Sequence, residues 1–190
     1  MGHELRTPLQ SIIGYAEQLR EEHPEDSRKV NIIYQSSEHL LQIVNEVLDY
    51  NRINSGKFHF NNQDFYLSQL IEEVFGAMQL QAEEKSLTLG LIKEIEGTGY
   101  MFGDPFRIKQ ILYNLLSNAI KFTEKGSVTL KVSTEIKETI ANLRITVNDT
   151  GKGIPENDLY RIFNEFEQAE NSNSGIHFGS GLGLSIVKTL

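Results

Sequence analysis

The residues of this chain best suited to chemistry fall in four clusters, the first of them at its start: His3-Glu4-Leu5-Arg6-Thr7-Pro8. A neutral imidazole is a competent nucleophile near pH 7, and an adjacent carboxylate can orient the ring or take its proton. Thr7 adds a hydroxyl one helical turn on. Further along, Asn114 and Asn118 share a helix face, with Lys121 within reach of the same edge. Their amide oxygens can help coordinate Mg²⁺ or its waters, and the ammonium can counter a phosphate charge. The third cluster is Asp149-Thr150-Gly151-Lys152-Gly153-Ile154, at the end of an expected strand. It offers a carboxylate able to accept from an exocyclic amine, followed by glycines that let backbone approach a flat ring. The last, Gly179-Ser180-Gly181-Leu182-Gly183-Leu184, opens a helix whose free N–H groups and positive dipole end suit phosphate. It lacks the Gly-Lys-Ser/Thr ending of the Walker pattern. Taken singly, each cluster has a plainer reading: a surface histidine, a polar helix face, a strand-ending turn, a glycine-rich turn.

The elements that must position these residues are legible from periodicity. Leu5, Leu9, Ile12, Ala16 and Leu19 recur at steps of four and three, the seam of a packed helix from about Glu4 to Arg20. His3 and Thr7 fall on the opposite face. Pro8 sits near the first turn, where a missing N–H costs little. After a polar break at 21–26, a second helix is expected from Asp26 or Ser27 to about Asn54. Its apolar stripe repeats in sevens: Val30, Ser37 and Val44, then Ile33, Leu40 and Val47, then Tyr34, Leu41 and Leu48. Two helices alone bury little, so residues 4–54 are expected to dimerise into a four-helix bundle in preference to packing against the rest of the chain.

Ser55-Gly56 closes this hairpin. The pattern then predicts a strand over 57–67, a helix over 68–84, a strand over 87–95 and a turn over 96–99. Gly103-Asp104-Pro105 starts a helix that turns Ile108, Ile111, Leu112, Leu115, Leu116 and Ile120 inward. Val128, Leu130 and Val132, then Leu143, Ile145 and Val147, alternate as a strand pair joined by 135–142. A short helix is expected from Pro155 to about Phe166, a polar stretch over 168–179, and a last helix from Leu182. The fold class is therefore α+β: a helical hairpin over 1–56, then a two-layer α/β sandwich over 57–190 built of helices on an antiparallel-rich sheet.

Composition narrows the function. The 190 residues include no cysteine, which excludes disulfides, thiolate metal sites and cysteine nucleophiles. A net charge of −8 disfavours a nucleic-acid partner, although an acidic protein can hold a nucleotide if Mg²⁺ and local donors neutralise its phosphates. No apolar run approaches a membrane span and no signal peptide is visible, so the expected location is cytoplasmic, without membrane contact in these residues. A start two residues before His3 suggests a segment cut from a longer protein.

In their order, the clusters closely resemble those of the dimeric sensor histidine kinases of two-component signalling. The resemblance extends to Arg161-Ile162-Phe163-Asn164-Glu165-Phe166, to Leu48-Asp49-Tyr50-Asn51-Arg52-Ile53 and to Gly103-Asp104-Pro105-Phe106-Arg107, and covers nearly the whole chain. It implies that the sandwich is an ATP-binding domain of the histidine kinase and gyrase type, incomplete at its C-terminus. By the same resemblance His3 receives the γ-phosphoryl of ATP, Glu4 orients or deprotonates it, and Thr7 helps place a water for dephosphorylating the partner. Asn118 matches the Mg²⁺ ligand, Asn114 a supporting polar group, Lys121 a phosphate contact and Phe122 an aromatic beside the nucleotide. Asp149 matches the reader of the adenine amine, with Gly151, Gly153 and Ile154 along the pocket wall. Gly179, Ser180, Gly181, Leu182 and Gly183 would face the phosphates, residues 168–176 would form a lid, and 55–57 a hinge. The implied partners are a second copy and a response regulator receiver domain. Any membrane anchor would lie in segments outside this sequence. Two other readings stand beside it: an ATPase sharing the nucleotide fold, against which His3-Glu4 and the heptads argue, and a dimeric docking scaffold with an inactive nucleotide site.

Overall fold

The computed structural model describes residues 2–22, 27–54, 59–164 and 181–190. The chain divides into two compact units, one built from 1–58 and 162–189, the other from 59–161 with Leu190.

The first unit is the expected helical hairpin. Helix α1 spans Gly2–Glu22 and α2 spans Ser27–Asn54. Pro8 is accommodated inside α1, whose helix begins earlier and ends later than the periodicity suggests. Leu9, Ala16 and Val30 are buried, as is Ser37, which stands in a heptad position and satisfies its hydroxyl by donating to the Ile33 carbonyl at 2.7 Å. Ile12 and Leu19 belong to the same stripe by sequence yet are 47% and 45% exposed, and Tyr15, Ile32, Ile33 and Leu40 are exposed with them. This hairpin buries only part of its apolar surface. The short helix α5 (Gly183–Thr189) packs on α2 within this unit, so the first compact unit takes in residues that sequence assigns to the sandwich.

The second unit is a two-layer sandwich. Strands β2 (Thr88–Glu94), β4 (Ser127–Lys137) and β5 (Ile140–Asp149) form a sheet in the order β2-β4-β5, with β2 parallel to β4 and β4 antiparallel to β5. Helices α3 (Leu67–Glu84) and α4 (Pro105–Phe122) share its core. On α3, Leu67, Leu70, Ile71, Val74, Met78 and Ala82 are buried at helical spacing. On β4, Val128, Leu130, Val132 and Thr134 alternate inward with the period of a strand covered on one face. Leu112, Leu116, Ala119 and Ile120 complete the layer from α4. A separate antiparallel ribbon pairs β1 (Gln63–Tyr66) with β3 (Tyr100–Gly103), and its Gly99 carbonyl accepts from Leu67 N–H to start α3.

Several local expectations are corrected. Within the described residues 59–67 the strand predicted over 57–67 shortens to β1, because Asn61-Asn62 is poor strand sequence and Asn61 N–H donates instead to Asp104 at 2.8 Å. Strand β3 is too short to leave a periodic signal. The segment 135–142 is not a loop: both strands run on to a turn at Glu138-Thr139, with Glu138 left-handed at φ +57°. The Glu96 carboxylate holds this extension by accepting from Ile136 N–H at 2.9 Å. Over 155–164 the predicted helix is replaced by single 3-10 turns at Glu156–Asp158 and Arg161–Phe163, and 165–166 lie outside the described residues. Of the polar break expected at 21–26, Glu21 and Glu22 belong to α1, while 23–26, like the hinge at 55–57 and the lid at 168–176, lies outside the described residues.

Leu116 is fully buried between α4 and the sheet. Leu116→Ala is expected to lower the unfolding free energy by about 2–5 kcal/mol, through lost transfer energy and the cavity left behind. Urea unfolding followed by circular dichroism checks it, and a loss below about 1 kcal/mol would contradict this packing.

Candidate functional site

Helix α4 starts on a cap read correctly from sequence. Asp104 accepts from Arg107 N–H at 3.2 Å, and Pro105 occupies the first helical position. From there the candidate residues rise out of the core: Asn114 is buried, Asn118 half-buried, and Lys121 and Phe122 exposed. The last turn is held at several points. Thr123, fully buried, donates through both its N–H and its hydroxyl to the Ala119 carbonyl, at 3.1 and 2.7 Å. The Lys85 ammonium, from the turn after α3, donates to the carbonyls of Ile120 and Lys121, each at 2.9 Å.

The loop after β5 meets this helix end. Asp149 is exposed, and its Oδ1 accepts from Gly151 N–H at 2.9 Å. Thr150 ties the loop to the preceding turn: its N–H donates to the Ser127 carbonyl at 3.1 Å, and its hydroxyl accepts from Ser127 N–H at 3.0 Å. A side chain at Gly126, where φ is +112°, would fall 2.2 Å from that hydroxyl. At Gly151 a Cβ would lie 2.6 Å from the Phe122 carbonyl oxygen and 2.8 Å from Asp149 Oδ1. The sequence reading has this glycine admit a flat ring; what it admits here is the end of α4. Gly153 is different. Its φ is +68° and a Cβ there would meet nothing within 4 Å.

The structure therefore brings Lys121 and Phe122 beside Asp149, Gly151 and Lys152, with Asn118 one turn back on α4. The ammonium groups of Lys121 and Lys152 lie 5.0 and 5.4 Å from the Phe122 ring centroid. Partial burial, and secondarily the charge of Lys85, hold the Lys121 ammonium below the usual lysine range although the side chain reaches solvent. Ile154 is half exposed beyond the loop. Sequence reasoning missed Lys85, and it gave Thr150 and Lys152 no role within their cluster; a lysine at a helix end ordinarily reads as solvated, and only the fold shows what it reaches.

The remaining candidates belong to the other unit. His3, Glu4 and Thr7 fall within α1, and their side chains lie outside the description. Gly181, with φ +73°, Leu182, which is buried, and Gly183 open α5. Gly179 and Ser180 lie outside the described residues.

Among the described residues no group of three His, Asp, Glu or Cys side chains could hold a metal ion. A metal that keeps waters and phosphate oxygens and takes a single carboxamide oxygen fits this surface; a cage of protein carboxylates does not. A cleft of ≈ 350 Å³ between α3 and α4 is lined by Gln81, Glu84, Lys85, Ser117, Ile120 and Lys121. A larger recess of ≈ 670 Å³ flanks the β4–β5 hairpin around Ser133, Glu135 and Arg144, and none of the candidate residues lines it. No helix among the described residues is long and apolar enough to cross a membrane.

Comparison with known proteins bears on both ends of the chain. Residues 1–56 match the family model of the His Kinase A (phospho-acceptor) domain. Residues 103–190 match that of the histidine kinase-, DNA gyrase B-, and HSP90-like ATPases. The autoinducer 2 sensor kinase/phosphatase LuxQ of Vibrio cholerae is 40% identical over 192 residues, covering all of this chain and 22% of its own length. The signal transduction histidine-protein kinase BarA of Escherichia coli is 38% identical over 193 residues, again over the whole chain and 21% of its own. Full-length ShkA, solved in complex with AMPPNP, superposes with a TM-score of 0.76 at 32% identity, covering 99% of this chain and 38% of that one. The chain thus spans just over a fifth of the length of these curated relatives.

Gly151→Ala is expected to push the loop after β5 away from α4, since the added carbon meets backbone and not a flexible side chain. The cost expected is about 1–3 kcal/mol, the usual range for overpacking. Amide chemical shifts of 121–123 and 149–153 should move together; unchanged shifts with unchanged stability would refute the close approach.

Proposed function

Because this chain belongs to the sensor histidine kinases of two-component signalling, we propose that it binds ATP, phosphorylates His3 and passes the group to an aspartate of a response regulator receiver domain. The observation that carries this reading is the junction of α4 with the loop after β5, where Lys121 and Phe122 stand beside Asp149. In this reading residues 1–56 form the phosphoacceptor and dimerisation domain and 57–190 belong to the ATP-binding domain.

Each residue then has a role its surroundings support. Gly151 N–H engages one oxygen of Asp149 and leaves the other to accept from the adenine amine. Phe122 gives an apolar face beside it, and Gly153 and the half-exposed Ile154 leave the approach to it open. Lys121 offers its ammonium to the phosphates, and the backbone N–H groups of 179–183 are assigned to them too. The carboxamide of Asn118 would take one position on Mg²⁺, with Asn114 buried behind it. Bound there, Mg²⁺ supplies charge neutralisation at the phosphates. An imidazole nitrogen of His3 forms a bond to the γ-phosphorus as the bond to the ADP oxygen breaks, and Glu4 takes or orients the imidazole proton.

Pairing of two copies is supported by the apolar side chains that the hairpin leaves exposed, Ile12, Leu19, Ile32, Ile33 and Leu40 among them. A second copy would bury them as a four-helix bundle. ATP as the donor makes the cytoplasm the compartment. Dephosphorylation of the receiver is a further activity of this reading, with Thr7 placing the attacking water, and LuxQ is named as both kinase and phosphatase.

His3→Gln is expected to remove all acid-labile label transferred from γ-labelled ATP while leaving nucleotide affinity unchanged. Asp149→Asn should weaken that affinity roughly tenfold, the loss of about one hydrogen bond to a charged acceptor. Label on the His3 variant, or undiminished affinity in the Asp149 variant, would overturn the corresponding assignment. Thr7→Ala should keep autophosphorylation and slow loss of phosphate from the receiver; lost autophosphorylation would show Thr7 to be misassigned.

A further inference from the structure

We propose that Lys85 is a positioning residue of the nucleotide site, acting through the two carbonyls at the end of α4 that its ammonium holds. The inference rests on the nucleotide reading given above.

Lys85 stands outside both stretches that match family models, 1–56 and 103–190. It is delivered by a tight turn. Its own N–H donates to the Ala82 carbonyl at 3.1 Å, Ser86 takes the left-handed conformation at φ +57°, and Leu87 N–H returns to the same Ala82 carbonyl at 2.9 Å. The turn is thereby closed, and the side chain crosses from α3 to the last turn of α4. There it meets carbonyls that the helix itself leaves unpaired, at the negative end of the helix dipole.

The consequence follows from the order of the terminal peptides. The Ala119 carbonyl is taken by Thr123, those of Ile120 and Lys121 by Lys85, and that of Phe122 abuts Gly151. Lys85 thus grips the two peptides between a buried anchor and the loop that carries Asp149. Without the ammonium those peptides can turn out to water, and Lys121 and Phe122 turn with them. The same charge depresses the proton affinity of Lys121, placing Lys85 near the group assigned to the phosphates. Glu84, Gln81 and Ser117 line the intervening cleft.

The test uses the 190-residue chain and a fluorescent ATP analogue with Mg²⁺. Lys85→Met, which keeps the stem and removes the charge, is expected to weaken binding five- to tenfold, and Lys85→Arg to stay within twofold of the original. In a Lys121→Met background the Lys85→Met loss should shrink to twofold or less, because the two side chains act on one event. Amide shifts of 119–123 and 149–153 should move in Lys85→Met and return in Lys85→Arg. Should Lys85→Met fail to fold, the same comparison is made with Lys85→Gln. Equal affinity in the Lys85 variants, or losses that multiply independently with Lys121→Met, would overturn the positioning role. A chain that binds no nucleotide with Lys85 intact overturns the nucleotide reading itself, and the role with it.

Discussion

Where the last turn of α4 touches the loop after β5, the decisive quantity is the absence of one carbon atom. A methyl group at Gly151 would sit 2.6 Å from the Phe122 carbonyl oxygen, closer than carbon and oxygen tolerate, so the helix end and the loop can meet only because nothing is there. The atom met is backbone, which cannot swing aside as the end of a flexible side chain does; something must move. Every candidate nucleotide contact in the sandwich unit hangs on that meeting. Asn118, Lys121 and Phe122 are carried on one side of it, Asp149 and Gly153 on the other.

Rigidity on the two sides has different origins. Helix α4 is fixed by burial, with Leu112 and Leu116 wholly inside and Thr123 closing its end by two bonds to one carbonyl. The loop is fixed by polar contacts: Thr150 clasps Ser127, and Asp149 folds back on Gly151 N–H. Burial resists thermal opening over the whole domain, whereas exposed hydrogen bonds open locally and often. A binding surface with one stiff wall and one yielding wall can admit a ligand without unpacking its core.

The five long helical and strand patterns of α1 to α4 and β4, and the cap at Asp104, were legible in the sequence, because each writes a periodic or capping signature. What escaped leaves none. Strand β3 has four residues, and β1 the same number, too few for alternation to stand out. The segment 135–142 looks like a loop because its polar residues face water on both sides of an extended hairpin, where exposure replaces burial as the pattern. Pro155 suggested the start of a helix, and the chain makes only 3-10 turns at Glu156–Asp158 and Arg161–Phe163. Gly151 was recognised as a place needing glycine, but the group it makes room for belongs to the protein. Lys85 could not have been found at all, for its partners are backbone carbonyls 35 and 36 residues away. The face that Ile12 and Leu19 present was read as seam, and a single hairpin covers only part of it.

Strands β2 and β4 run parallel from Thr88↔Ser127 to Glu94↔Ser133, and a parallel pair cannot be closed by a tight turn. The crossover between them contains β3 and the whole of α4. The helix bearing the candidate nucleotide residues is thus threaded between two strands that must pair over nearly forty positions of chain. Such pairing gives high contact order, which slows folding and makes it late and collective. What holds α4 to the sheet is its buried face, Leu112, Leu116 and Ile120, packed against Val128, Leu130 and Val132 of the central strand, so this wall of the site shares the core that the late pairing completes.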